Sequence, residues 1–201
     1  MMGGLTALLG LSLGAASTLA AASDAPPPAL DAAGLDLPAL IECRAELRHF
    51  FALAPALADP LQAVALGWRP LPQANMFLTE FKLTAPITVF GHASDHIAFA
   101  GNSILAILDL PDPRPLAKEL ALETAIDTPA KAMFGKELRS VEHRDPESGR
   151  TLIESLVLNV SNVDSHPGKT LVGCSYSLDP DEEDPDVQPE EPVPAVDTAV
   201  P

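Results

Sequence analysis

Cys43 and Cys174 are the two cysteines of this chain, and they stand near opposite ends of the stretch that can fold. Their spacing excludes a CxxC redox motif. An even count is what a disulfide in an oxidising compartment requires, the alternative being two buried free thiols. A bridge between them encloses nearly the whole foldable region, so the segment carrying Cys43 must pack directly on the segment carrying Cys174. In the chain-entropy picture a closed loop of that size removes about 5 kcal/mol of freedom from the unfolded state.

The amino terminus agrees with an oxidising destination. Residues 1–22 hold no charged side chain, and the apolar stretch from Leu5 to Leu13 has signal-peptide length, too short to span a bilayer. Small residues ending in Ala20-Ala21-Ala22 form an A-x-A cleavage pattern, which starts the mature chain near Ser23. The n-region lacks its usual Lys or Arg, which leaves an uncleaved hydrophobic anchor as the alternative. The expected location is periplasmic or secreted, with no stable membrane anchor after cleavage.

The formal charge of −16 is unevenly distributed. Residues 179–201 carry nine acids and no base, leaving 19 acids against 12 bases elsewhere. A segment so rich in Pro and like charge is expected to be a disordered acidic tail. Residues 23–35, with Pro26 to Pro28, read as a Pro/Ala-rich linker. Between them, residues 36–178 form one domain long enough for a real core.

Within it Asp36 is placed to cap a helix on which Leu40, Cys43, Leu47, Phe50 and Ala54 share a face, with Glu42, Glu46 and Arg48 toward water and His49 partly buried. Asp59-Pro60 opens a shorter helix that Gly67 ends, Asp112-Pro113 opens another through Leu116 and Leu120, and Thr128-Pro129 a single turn. The rest alternates as strands: 78–83, 87–91, 96–100, 103–110, 136–144, 150–161 and 170–178, joined by short turn-forming links. Connections that short imply an antiparallel meander. The fold class is therefore α+β, about seven antiparallel strands packed by an N-terminal helix and one or two shorter ones, in an order that hints at two similar halves. In the last strand Val172, Cys174, Tyr176 and Leu178 share the better core face, which aims Cys174 at the first helix.

Two constellations carry potential chemistry. In Gly91-His92-Ala93-Ser94-Asp95-His96, a three-residue hairpin loop would make His92 and His96 a cross-strand pair with Asp95 beside them, able to hold zinc or another divalent metal. The bland reading is a polar turn with exposed histidines. In the turn after residue 161, Asp164, Ser165 and His166 offer carboxylate, hydroxyl and imidazole, but neighbours in one turn rarely form a relay, and no Gly-x-Ser-x-Gly elbow accompanies them. A recognition turn is the expected role. Glu80, Glu137, Glu142 and Glu154 fall in strands with no acid and nucleophile pairing evident. Trp68 and His143 read as core packing and as a solvated strand end.

No basic stripe interleaved with aromatics accompanies these, so nucleic acid is not an expected partner, and no glycine-rich phosphate loop follows a strand. The function expected from sequence is an exported noncatalytic protein, without cofactor, that binds an envelope or extracellular protein. The alternative is a metal-binding protein or metal-dependent hydrolase built on His92, Asp95 and His96.

Overall fold

The computed structural model describes residues 34–181. The expected signal peptide, all but the last two linker residues and the tail beyond Asp181 lie outside the described residues. Four short helices open the domain: α1 (Leu37–Ile41), α2 (Leu47–Phe51), α3 (Ala54–Ala58) and α4 (Pro60–Ala65). Then come β1 (Trp68–Pro70), β2 (Thr79–Val89), β3 (His92–Ala100), β4 (Ser103–Leu108), α5 (Arg114–Glu119), β5 (Glu123–Asp127), β6 (Ala132–Arg144), β7 (Thr151–Ser161) and β8 (Thr170–Pro180). All eight strands join one antiparallel sheet in the order β1-β2-β3-β4-β8-β7-β6-β5. Two meanders, β1 to β4 and β5 to β8, thus meet where their last strands pair.

The class is α+β, as the patterning predicts, with eight strands in place of seven. Segments 78–83 and 87–91 are one strand, β2, whose register shifts between Lys82 and Ile87. The two unforeseen strands lie at the sheet's edges: β1 is three residues ending in Pro70, and β5 is Glu-Thr-Ala-Ile-Asp, four of its five residues exposed. Neither carries the apolar alternation that marks a strand in sequence, and proline and charge are what edges tolerate. The turn expected as helical at Thr128-Pro129 is a hairpin connection from β5 to β6, closed by the Thr128 N–H on the Lys131 carbonyl.

The long first helix is also corrected. Asp36 does cap α1, its carboxylate accepting the Ala39 N–H at 2.9 Å, but the helix stops at Ile41. Cys43 follows at φ +56°, with the Arg44 N–H on the Ala39 carbonyl and the Cys43 N–H on the Leu40 carbonyl. That is a Schellman ending with cysteine where glycine is usual. The periodicity of 40, 43, 47 and 50 therefore spans a break, and Ala54 and His49 are exposed. Glu42 does not simply face water: its Oε1 accepts the Phe90 N–H at 2.8 Å in the β2–β3 turn.

The left-handed Cys43 is held by its disulfide to Cys174, Cα to Cα 5.2 Å. Next to it on β8, Tyr176 stacks on Phe50 of α2 with ring centroids 4.8 Å apart, and its hydroxyl donates to the Leu40 carbonyl at 2.7 Å. Burial pushes the Tyr176 phenol well above its ordinary range. Val172, Cys174 and Tyr176 share the inner face as expected, while Leu178 at the end of β8 is exposed. The inner face continues through Trp68, Phe81 and Phe99, whose rings lie 5.7 to 6.0 Å apart, and through Ile104, Leu158, Val160 and Phe134 to Leu116 and Ala117 of α5. Among the described residues no helix is long and apolar enough to cross a membrane.

The opposite face of the sheet is covered in part by a smaller cluster of Leu78, Ala98, Leu105, Ile107 and Leu171, with Val163 packed against it. This cluster draws the 71–78 segment and the β7–β8 turn across the outer face.

Candidate metal centre

Glu80 lies on that outer face, because Phe81 and Leu83 take the inner one and side chains alternate along a strand. On the neighbouring strand, His96 stands opposite Lys82 and Ala98 opposite Glu80, a diagonal offset that long side chains span. The third member comes from the β7–β8 turn, where Pro167 and Gly168, the latter at φ +73°, end a tight loop that folds back over β2. His166 there has its N–H on the Val163 carbonyl, and Val163 in turn is packed into the small outer cluster.

The three meet at one carboxylate oxygen. His96 Nε2 lies 2.8 Å and His166 Nε2 3.0 Å from Glu80 Oε2, and the ligand-capable atoms of all three lie within 4.8 Å of one another. The Glu80 side chain is 4 % exposed, His166 9 % and His96 23 %. The second carboxylate oxygen, Glu80 Oε1, is buried without a hydrogen-bond partner. A lone buried acceptor of this kind is costly and calls for an explanation.

A side-chain hydrogen-bond chain runs into the cluster from Asn75. The Asn75 side-chain carbonyl accepts the Phe77 N–H at 2.9 Å, so its amide nitrogen faces Ser165 Oγ at 3.1 Å and donates to it. Ser165 Oγ lies 3.0 Å from His166 Nδ1, and a ring proton on Nε2 would face Glu80 and leave Nδ1 to accept from the serine hydroxyl. Burial holds the His96 pKa below the ordinary imidazole value, an effect larger than the opposing pull of Glu80; the nearby charges of His166 and Lys82 act in the same direction as burial. His96 is therefore kept neutral, the form that ligates metal.

The expected hairpin site does not assemble in the way the spacing implied. The β2–β3 turn is Phe90-Gly91, both at positive φ, and Ala93, Ser94 and Asp95 are strand residues. A two-residue loop with φ positive at both positions matches sheet twist better than the three-residue loop read from sequence. His92 and His96 consequently lie on one strand, opposite Val89 and Lys82, four residues or about 13 Å apart. Asp95 bonds Lys82 at 2.6 Å, which lowers its pKa below the usual carboxylate range. In the second constellation Ser165 and His166 join the cluster, and Asp164 is exposed.

The structure thus takes His96 from one sequence candidate and Ser165 with His166 from the other, and supplies Glu80 from a strand set aside. Glu80 gave one signal: an acid beside Phe81 in a strand that opens on Leu78. The second acid–histidine group, Glu154 with Arg139 at 3.1 Å and His143 at 3.0 Å, involves a half-exposed histidine and has only that one imidazole. Comparison with protein-family models, with curated proteins and with solved structures finds no match to this chain.

Proposed function

We propose that this chain is an exported metal-binding protein whose centre is Glu80, His96 and His166, with zinc as the metal its donors suit best. The observation that carries the reading is the convergence of two imidazole nitrogens and a buried carboxylate from three separate chain segments, with one carboxylate oxygen unpartnered. Two histidines and a carboxylate are a recurrent zinc donor set, and they leave a fourth position open.

The surrounding groups fit that role. His166 would offer Nε2 to the metal and, with its proton on Nδ1, would donate to Ser165 Oγ, which Asn75 already bonds. The disulfide and the apolar, charge-free amino terminus support an extracytoplasmic, oxidising address. Compared with the hairpin expected from sequence, the donor set exchanges His92 and Asp95 for Glu80 and His166.

The test is zinc-dependent thermal stability of the disulfide-bonded protein and of His96→Ala and His166→Ala. A ligand that binds only the folded state at one hundred times its Kd stabilises it by about 2.7 kcal/mol. Wild type should gain this and both variants should lose most of it. Equal shifts in all three proteins would place zinc elsewhere, and no shift in wild type would end the proposal.

A further inference from the structure

The hydrogen-bond chain Asn75–Ser165–His166–Glu80 sets a hydroxyl, an imidazole and a buried carboxylate in the order a nucleophilic serine needs. Ser165 Oγ lies 3.0 Å from one imidazole nitrogen of His166, and the other nitrogen of that ring lies 3.0 Å from a buried carboxylate. Asn75 places an amide donor 3.1 Å from the same oxygen, where it can stabilise negative charge as the proton leaves. The roles of nucleophile, base and orienting acid are defined by geometry and not by chain order. Ser165 is half-buried, so a small reagent can reach it, and Glu80 is a positioning residue that acts through His166.

We propose that Ser165, in the metal-free protein, is an activated nucleophile toward phosphonyl and acyl centres, with His166 as its base. With a fluorophosphonate, Ser165 Oγ forms a bond to phosphorus, the P–F bond breaks, fluoride departs and the serine proton passes to His166 Nδ1. The relay and the metal centre share His166 and Glu80. A metal held on Nε2 would leave the ring proton on Nδ1, and His166 could then no longer take the serine proton. Metal occupancy therefore switches the site between two chemistries.

The experiment uses the disulfide-bonded full chain, stripped of metal with EDTA, and a fluorophosphonate probe between pH 5 and pH 9. Adducts are located by peptide mass analysis. The expected result is a single adduct at Ser165 whose rate rises with pH through one histidine-like ionisation, falls at least tenfold in His166→Gln and is absent in Ser165→Ala. Glu80→Gln should flatten or move that pH profile, and circular dichroism of each variant reports whether it has folded. Micromolar zinc should suppress labelling of wild type; labelling that zinc leaves untouched supports the nucleophile and counts against the metal centre. No adduct at Ser165 in folded wild type, or the same labelling rate in folded His166→Gln, would overturn the proposal.

Discussion

Alanine at position 173 would drive a carbon into the seam that joins the two meanders. Gly173 lies opposite Leu105 on β4 and Asn159 on β7. A Cβ built there would stand 2.0 Å from the Ile104 carbonyl oxygen and 2.8 Å from Leu105 Cα, both backbone atoms that no rotamer change can move. The β4–β8 ladder must open by more than an ångström to restore ordinary contact. Overpacking of a filled site costs about 1–3 kcal/mol, and each ladder hydrogen bond lost adds about 1 kcal/mol. The expected loss is about 3–5 kcal/mol, a large part of the stability of an ordinary domain. Urea unfolding followed by the fluorescence of Trp68, which is buried against Phe81 and Phe99, measures it. Gly135→Ala is the control, since its nearest neighbour, at 3.1 Å, is the side-chain oxygen of Asn159, which need give only a few tenths of an ångström. A Gly173→Ala protein within about 1 kcal/mol of wild type would show that β4 and β8 do not pair as described.

Three further outcomes are expected. Tyr176→Phe removes the hydroxyl that bonds the Leu40 carbonyl but keeps the ring stacked on Phe50, so it should cost about 1–2 kcal/mol in the same urea assay; no change would mean that the bond contributes nothing net. Nonreducing peptide mass analysis should find Cys43 linked to Cys174, and Cys43→Ser should lose a few kcal/mol, at most about 5. Two free thiols would refute the docking of α1 on β8. Because burial lowers the His96 pKa, the unfolded chain takes up that proton at higher pH than the folded one does. The group's contribution is therefore complete above about pH 6.5 and disappears as pH falls through the lower folded value. Urea midpoints should drop on acidification through this window, and drop less in His96→Gln; equal slopes would remove His96 as the cause.

Sequence patterning reached as far as local physics reaches. The alternation of Val172, Cys174 and Tyr176 was enough to aim the disulfide inward, and Asp59-Pro60 with Gly67 marked both ends of α4. It failed where a non-glycine residue adopts a left-handed conformation: Cys43 breaks the first helix and Phe90 sets the β2–β3 turn, both at positive φ. At Cys43 the disulfide compensates, and at Phe90 the bond to Glu42 does, each made by a residue distant in sequence. The edge strands were silent because edges need no apolar face. The candidate centre was half legible. His96, Ser165 and His166 stood out as chemistry-bearing residues, but their meeting depends on two segments crossing the outer face of the sheet, which periodicity does not encode. Glu80 could be placed on that face by parity, yet its burial follows only from those crossings.

Zinc bound by Glu80, His96 and His166 can be seen directly, because X-ray absorption of the zinc-loaded protein reads the metal's neighbours. The expected first shell is nitrogen and oxygen at about 2.0–2.1 Å. Outer-shell scattering should correspond to two imidazoles in wild type and one in His166→Ala. A shell without imidazole scattering, or a His166→Ala spectrum identical to that of wild type, would contradict it.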